Sequence, residues 1–421
     1  MRKGLLIGAG FSVELGMPTS QEFSQAFFSF LTPDKLKSIV EIMKSYEPYG
    51  DDSPTDKTEY DNLLGVFNQL WQENNGAINY ETLIQRLEKA SGYDHSEQRT
   101  KDHFIGKLKV LINESFYIFQ KHTCPIFIMN KERYRQLFSD FAEEELWIFS
   151  LNHDIIIEML CKDLGFELYV GGNKTFQLPF DNIGSKQMVT FTEVDNNESD
   201  FNNLYFARGN KGINLLKLHG GINEFTYDNG KKRLFLLPAE EQTSLEYLNE
   251  LDDFWHRPHY YHNGRTFPVE GEIVIGDTAG IMQFLRPAIL SGAVKYSPTI
   301  AERKGEEKMI FFSKGIEQLD ELYIIGYGFG DVHINNRIVR AMHLNQDMKI
   351  WVVNPHNTKI ELLNPFDYNL RVRGITANTI NSINYMTTEK WIEKEIGLEL
   401  ESAQASRSTI YERFYNVVFK R

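Results

Sequence analysis

Short apolar runs recur along the chain, and a polar or glycine-rich turn follows most of them. Apolar runs bounded in this way are typical of strands that are buried on both faces of a sheet. We therefore predict strands at residues 5–7, 147–151, 166–170, 213–218, 272–275, 322–326 and 349–353.

A helical spacing of apolar residues dominates the long stretch between the first two predicted strands. Ser20 is predicted to cap the first of these helices. The other helices are predicted at residues 60–71, 80–87, 101–122, 155–164, 311–319 and 388–396, and one more is predicted to follow Asp331 and to run through residues 338–342. Strands that alternate with helices indicate an α/β fold with a parallel sheet.

A glycine turn follows the first predicted strand. Gly8 and Gly10 allow the backbone to turn sharply and to approach a ligand closely. Because a helix is predicted to begin near Ser12, its first N–H groups could receive a phosphate. The usual dinucleotide motif has a third glycine where Val13 stands here. A purely structural turn explains this stretch alone equally well.

Polar residues also follow three later strands, at the carboxyl ends where open α/β sheets bind their ligands. They are Asn152, His153 and Asp154 after the second strand, His219 and Gly220 after a third, and the segment 326–331 after a fourth. Taken singly, Asn152 and Asp154 could be helix caps, and His219 could be a hydrogen-bonded core histidine.

In their order and spacing, these motifs resemble those of the sirtuin superfamily. The similarity is greatest to the sirtuin-like proteins of bacterial antiphage defence. The matching segments are Gly8-Ala9-Gly10-Phe11-Ser12, Asn152-His153-Asp154, His219-Gly220, the segment 326–331 and Val353-Asn354. The resemblance implies a Rossmann-like parallel sheet of the sirtuin type with large helical insertions. It also implies that NAD binds as the substrate.

The resemblance assigns a nucleotide-binding set by motif. The set is Gly8, Ala9, Gly10, Phe11, Ser12, Gly326, Tyr327, Gly328, Asp331 and Asn354. The first glycine turn would offer N–H groups to the pyrophosphate, and Ser12 would add a hydroxyl. The segment from Gly326 would flank the adenosine, and Asn354 would bind its ribose. We also predict that Asp331 caps the helix that follows it.

The catalytic residues implied by the resemblance are Asn152, Asp154 and His219. The bond between nicotinamide and ribose breaks through an oxocarbenium-like state, and nicotinamide leaves as a neutral molecule. Asn152 would position the ribose hydroxyls and the attacking water, and Asp154 would hold the carboxamide. An ordinary histidine titrates near pH 6.5, so His219 could accept a proton at neutral pH.

The cysteine content indicates which kind of sirtuin the chain resembles. Cys124 and Cys161 are the only cysteines of the chain, and no Cys-x-x-Cys motif is present. The four-cysteine zinc module of protein-deacylating sirtuins is therefore absent. His256, His259 and His262 flank Pro258, and we interpret them as part of a polar, aromatic loop. No metal is predicted.

Composition limits the class of partner. The 421-residue chain is 42% hydrophobic and carries a formal net charge of −13. An acidic protein is poorly suited to sequence-independent binding of nucleic acid. No apolar stretch approaches the roughly 20 residues that span a bilayer, and two lone cysteines fit a reducing compartment. We predict a cytoplasmic protein without membrane or direct nucleic-acid contacts.

The predicted domain organisation follows from these motifs. Residues 1–360 would form the sirtuin-like NAD-binding domain. A mainly helical insertion at about 20–145 and a loop-rich insertion at about 222–270 would interrupt it. Residues 361–421 would form a C-terminal segment with a helix, available for contact with a partner or with another subunit.

The function implied is an NAD glycohydrolase that releases nicotinamide and ADP-ribose and depletes NAD in abortive infection. Control by homo-oligomerisation or by a partner, such as a helicase-like ATPase or another defence protein, is expected. One alternative is an NAD-dependent protein deacylase or ADP-ribosyltransferase. Another alternative, of a different class, is a non-enzymatic sensor of NAD or ADP-ribose, or an assembly scaffold.

Overall fold

A computed structural model describes most of the chain. The described residues are 2–45, 57–90, 95–141, 145–172, 174–182, 185–195, 212–227, 232–256, 259–262, 265–268, 273–276, 282–289, 307–356, 359–367, 370–380 and 382–383. The predicted helix at 388–396 and most of the C-terminal segment lie outside these residues. So do the side chains of His256, His259 and His262.

Fifteen strands are found in the described residues. They are β1 (Lys3–Ile7), β2 (Glu145–Ser150), β3 (Leu168–Tyr169), β4 (Lys174–Asn182), β5 (Ser185–Asp195), β6 (Gly212–Lys217), β7 (Glu224–Tyr227), β8 (Lys232–Leu236), β9 (His259–His262), β10 (Arg265–Pro268), β11 (Ile273–Gly276), β12 (Met282–Pro287), β13 (Glu321–Ile325), β14 (Lys349–Val353) and β15 (Val372–Ile375).

The helices of the described residues fall mainly between β1 and β2. They are α1 (Ala9–Ser12), α2 (Ser20–Phe30), α3 (Pro33–Ser45), α4 (Lys57–Glu73), α5 (Tyr80–Lys89), α6 (His95–Asn130), α7 (Arg135–Phe141), α8 (Ile156–Leu164), α9 (Ser244–His256), α10 (Glu307–Glu317), α11 (Val332–Leu344) and α12 (Asn364–Asp367). Short 3-10 turns occur at Val13–Leu15, Lys131–Tyr134 and Glu361–Leu363.

A seven-stranded parallel sheet forms the centre of the fold, in the order β15-β14-β13-β1-β2-β6-β3. Successive side chains of a strand point to opposite faces. In β1, Leu5 and Ile7 enter one buried core, and Leu6 enters the other. The predicted α/β class with a parallel sheet is confirmed.

The two faces of this sheet are covered by different parts of the chain. Helices α2 to α8 pack over the face that holds Leu5 and Ile7, whereas α10 and α11 pack over the face that holds Leu6. The apolar stripe predicted at residues 101–122 belongs to the first core, where Phe104 and Phe119 are fully buried.

A second sheet is antiparallel and has the order β11-β12-β7-β8-β5-β4. Residues 222–270 thus contain more regular structure than the loop-rich stretch that the sequence suggested. The sequence did not indicate this structure because β8 pairs with β5, which lies outside residues 222–270. In that pairing, Asp195 of β5 lies opposite Lys232 of β8. Short strands whose partners are distant in sequence leave only a weak local pattern.

Several helix boundaries differ from the prediction. The cap of α2 is Thr19 rather than Ser20, because the Thr19 side chain accepts from the Glu22 N–H and the Glu22 carboxylate accepts from the Thr19 N–H. This reciprocal pair is a capping box. Helix α6 also continues past Pro125, where the sequence pattern appeared to end.

In the described part of the chain, we find no helix that combines the length and the apolar composition needed to cross a bilayer.

The capping box of α2 yields a stability prediction. Thr19→Ala removes the acceptor for the Glu22 N–H, and we expect a loss of about 0.5–2 kcal/mol in the free energy of unfolding. Thr19→Ser keeps the acceptor and should retain most of that stability. Urea denaturation of the three proteins measures the difference, and equal losses in both variants would contradict the capping role.

Candidate functional site

The sequence motifs meet at one edge of the parallel sheet. They follow the carboxyl ends of β14, β13, β1, β2 and β6, which are adjacent in the sheet. The chain order reverses between β1 and β13, since strands are added outward in opposite directions from that point. The crevice beyond such a reversal is where open α/β sheets bind ligands.

The two glycine turns at this reversal are in backbone contact. A Cβ atom on Gly8 would lie 2.6 Å from the Gly326 carbonyl oxygen, and one on Gly10 would lie 2.7 Å from Gly326 Cα. Gly326 itself has a φ of +66°, which other residues rarely adopt. The close packing of the two turns therefore requires glycine at all three positions.

Hydrogen bonds join the same two turns. The Gly8 N–H donates to the Ile325 oxygen at 3.0 Å, and the Gly10 N–H donates to the Gly326 oxygen at 3.0 Å. Both groups were predicted to face a pyrophosphate, but here they bind protein carbonyls. The sequence could not reveal this, because the acceptors lie more than 300 residues away.

The rest of the first motif divides between crevice and core. Ala9 begins α1 and is half-buried. The Phe11 ring is fully buried and packs edge-on against Tyr134, with ring centroids 5.4 Å apart. Phe11 thus anchors the glycine turn in the core. The buried Ser12 hydroxyl instead accepts a hydrogen bond from Asn152 of the second motif.

The Asn152 amide is fixed by two acceptors. Its Nδ2 donates to the Gly8 carbonyl oxygen at 3.0 Å and to Ser12 Oγ at 3.1 Å. Because an amide group is planar, these two bonds also set the direction of its oxygen. The second and first motifs are therefore one hydrogen-bonded unit.

Asp154 is a buried carboxyl in the same unit. Its Oδ1 accepts from the Ile156 N–H at 3.1 Å, and it also receives a hydrogen bond from the Ser12 side chain. Burial raises the pKa of Asp154 to about 6, although the attraction of Lys217 and these hydrogen bonds oppose the rise. Asp154 thus engages the start of α8, as a helix-capping residue would, and changes charge near neutral pH.

Lys217 supports the 152–154 turn from beneath. Its Nζ donates to the Asp154 carbonyl oxygen at 2.5 Å and to Glu158 Oε1 at 3.1 Å. The side chains of Lys217 and Glu158 are each only 1% exposed. Asn223 also donates to Glu158 Oε1, at 3.0 Å. A buried pair with several hydrogen bonds holds its neighbours in one geometry.

His219 lies directly after β6 and is 2% exposed. Its ring centroid is 6.4 Å from that of His153 and 5.7 Å from that of His333. The following residue, Gly220, has a φ of +72°, and a Cβ there would lie 1.8 Å from the Ala288 oxygen. The turn that presents His219 therefore depends on glycine.

An aromatic cluster from the helical region reaches this group of histidines. Phe116 of α6 contacts the His153 ring edge-on, with centroids 5.4 Å apart. Phe116 in turn stacks on Phe23 of α2 at 3.8 Å and meets Tyr80 of α5 at 6.0 Å. Three helices between β1 and β2 thus connect to the site through side chains.

The segment after β13 is shaped by Tyr327. The Tyr327 hydroxyl accepts from the Asp331 N–H at 3.0 Å and donates to Asn335 Oδ1 at 3.0 Å. Phe329 has a φ of +56°, which is unusual for a side chain of this size. A Cβ on Gly328 would meet no atom within 4 Å, so packing does not require that glycine.

Asn354 ends β14, and its oxygen accepts from the His356 N–H at 2.9 Å. Such a bond is typical of an Asx turn. The carboxamide oxygen of Asn354 thus shapes the turn, and the contact of Asn354 with a ribose stays a prediction.

Asp331 precedes α11, but its carboxylate makes no capping hydrogen bond. The predicted capping role is therefore wrong. The ligand atoms of Asp331, His219 and His333 instead lie within 4.8 Å of one another. His333 and Lys217 were missed in the sequence, although the Asp-x-His spacing after a glycine turn offered a signal for His333.

Comparison with known proteins gives a limited result. No protein-family model matches the chain, and no curated protein sequence matches it. Its fold is similar to those of Sir2 structures, at low identity. Sir2Tm bound to a propionylated peptide is 12% identical, with 92% of each chain covered and a TM-score of 0.34.

Two further similar structures carry nucleotide ligands. A triple mutant of a Sir2 homologue with 2'-O-acetyl ADP-ribose is 10% identical, with 92% of this chain and 91% of that chain covered and a TM-score of 0.37. A Sir2 complex with a peptide and NAD+ is 12% identical, with 92% of each chain covered and a TM-score of 0.33.

The contact between the glycine turns yields a second prediction. Gly10→Ala forces its Cβ against backbone, and we expect a destabilisation of about 1–3 kcal/mol. Gly328→Ala is the matched control and should change stability by less than about 1 kcal/mol. Chemical denaturation measures both, and a neutral Gly10→Ala would show that the turns are not in close contact.

The raised pKa of Asp154 yields a third prediction. Because folding raises this pKa from 3.8 to about 6, the group stabilises the fold fully below pH 3.8. That contribution is lost as the pH rises through about 6. The difference between these two pKa values corresponds to about 3 kcal/mol.

Asp154→Asn keeps an acceptor for the Ile156 N–H but does not titrate. We expect the free energy of unfolding of the parent to fall more steeply between pH 4 and pH 6 than that of the variant. Denaturation curves across this range measure the two slopes. Identical slopes would mean that Asp154 titrates alike in the folded and unfolded chains.

Proposed function

We propose that this protein is a sirtuin-like NAD glycohydrolase, which releases nicotinamide and ADP-ribose. The main support is one arrangement: Asn152, the titrating Asp154 and the buried His219 follow neighbouring parallel strands, beside the glycine turn at the strand-order reversal. We further propose that NAD depletion serves antiphage defence by abortive infection, as the sequence motifs suggest.

In the proposed reaction, Asn152 orients the ribose hydroxyls and the attacking water. At pH 7 most Asp154 carboxyls are ionised, since their pKa is about 6. The ionised carboxylate accepts a hydrogen bond from the carboxamide NH2 of nicotinamide. This contact fixes the leaving group in the geometry for bond cleavage.

The chemical step breaks the bond between nicotinamide nitrogen and ribose carbon. Nicotinamide takes the bonding electrons and leaves as a neutral molecule, while the ribose develops oxocarbenium character. The water oxygen then bonds to the ribose carbon, and its proton passes to His219. The unprotonated nitrogen of a neutral imidazole can accept that proton as a general base.

Control of this activity is part of the proposal, because unregulated hydrolysis would deplete the NAD of the cell that produces the protein. The aromatic contacts from Phe23 through Phe116 to His153 offer a physical route from α2 and α6 to the site. We propose that a second subunit or a defence partner acts through these helices.

The decisive experiment follows nicotinamide and ADP-ribose by chromatography after incubation with NAD. His219→Ala and Asn152→Ala should each lower release by about 10²–10⁴-fold. His343→Ala, at the exposed end of α11, and Asn62→Ala, exposed on α4, are matched controls that should keep the parental rate.

Other outcomes would support other functions. Release that occurs only with an acylated peptide would identify a deacylase, and label transferred to protein would identify an ADP-ribosyltransferase. NAD that binds but stays intact, even with a neighbouring gene product and phage DNA present, would contradict the hydrolase and leave the sensor.

A further inference from the structure

Two histidines and an aspartate form a compact group beside the crevice. His219 comes from the end of β6, and Asp331 and His333 come from the start of α11. One ligand atom from each residue lies within 4.8 Å of the other two. Both histidines are buried and the aspartate is half-buried. We call these three residues the histidine–aspartate cluster.

We infer that the histidine–aspartate cluster is a binding site for a divalent transition metal ion, with zinc as its best fit. Imidazole nitrogens favour zinc, copper, iron and nickel over magnesium or calcium. Two histidines and one carboxylate are also a donor set that protein zinc sites use, with a fourth position left for water or another ligand.

The geometry is close to that of a loaded site. Zinc lies about 2.0–2.2 Å from nitrogen or oxygen ligands, so tetrahedral ligand atoms are about 3.4 Å apart. Separations of up to 4.8 Å therefore have to close by about 1.4 Å at most.

Some charged groups near the cluster disfavour a bound cation, and another favours it. The N-terminus of α11 and Arg337, which donates to the His333 carbonyl oxygen at 2.8 Å, disfavour a cation there. The carboxylate of Asp331, itself a member of the cluster, favours one. It therefore acts against the helix terminus and the guanidinium.

Metal binding has a consequence for the proposed hydrolysis. A metal ion bound to His219 occupies the nitrogen lone pair that would otherwise accept a proton. The loaded site therefore has no proton acceptor at that position, and zinc acts as an inhibitor of NAD cleavage. This consequence rests on the proposed function, whereas metal binding itself does not.

Titration with Co²⁺ tests the site directly, since its visible absorption reports the coordination of the ion. The full chain is stripped with a chelator and titrated at pH 7.5. We expect one Co²⁺ ion to bind per chain, with the visible absorption of an ion of low coordination number. Zn²⁺ should displace this ion, and Mg²⁺ should not.

Two variants locate the ion. His333→Ala and Asp331→Asn each remove one ligand, and we expect affinity to fall by more than the roughly 10–100-fold lost with an outer-shell partner. His343→Ala is the matched control on the same helix and should bind normally. Circular dichroism without metal checks that every variant is folded, and Asp331→Asn changes the side-chain volume least.

The inference fails if the parent chain shows no stoichiometric Co²⁺ spectrum. It also fails if folded His333→Ala and Asp331→Asn bind as tightly as the parent, or if His343→Ala loses binding equally. Inhibition of nicotinamide release by Zn²⁺ is measured separately. A protein that binds Co²⁺ but leaves NAD intact, even with a neighbouring gene product and phage DNA present, would retain the metal site and refute only the hydrolase.

Discussion

The backbone contact between the two glycine turns is the constraint on which the crevice depends. Gly8 and Gly10 approach Gly326 so closely that no Cβ fits between them. The carbonyl of Gly8 also accepts from Asn152, so the turn fixes the amide of the second motif. A displacement of either glycine turn would therefore also displace the crevice at the strand-order reversal and the neighbouring polar residues. Glycine is required here because two distant parts of the chain pack together, whether or not a ligand binds.

Beneath the crevice, buried charges hold strand ends and helices in register. Glu224 accepts from Lys308 at 2.6 Å and from Arg233 at 2.9 Å, and Lys308 also donates to the Lys217 carbonyl oxygen. Burial lowers the pKa of Lys308 to about 7, against the attraction of Glu224. Desolvation offsets much of the Coulomb energy of such groups. Their main effect is geometric, since they fix the end of β6 just before His219.

Sequence periodicity predicted the parallel sheet and most of its strands, because buried strands carry dense apolar runs with clear boundaries. It also located the polar residues after the strands, since topology alone brings those ends together. The strand predicted at 272–275 is β11 of the second sheet, but the sheet itself was not predicted, because the pairings of β5 with β8 and of β7 with β12 join segments far apart in the sequence. The roles of Gly8 and Asp331 differed from expectation because a motif does not specify which distant carbonyl or imidazole a group will meet. His333 was missed although its spacing from Asp331 offered a signal, and the domain boundaries stay a prediction.

The strand order has a consequence for synthesis of the chain. Gly8 and Gly326 are 318 residues apart, so the ribosome adds the second glycine turn long after the first. At about 5–20 residues per second, that interval is about 16–64 s. During this time β1 lacks one of its two neighbouring strands, and the crevice has only one side. A nascent chain therefore cannot assemble the complete site until β13 has emerged and paired with β1.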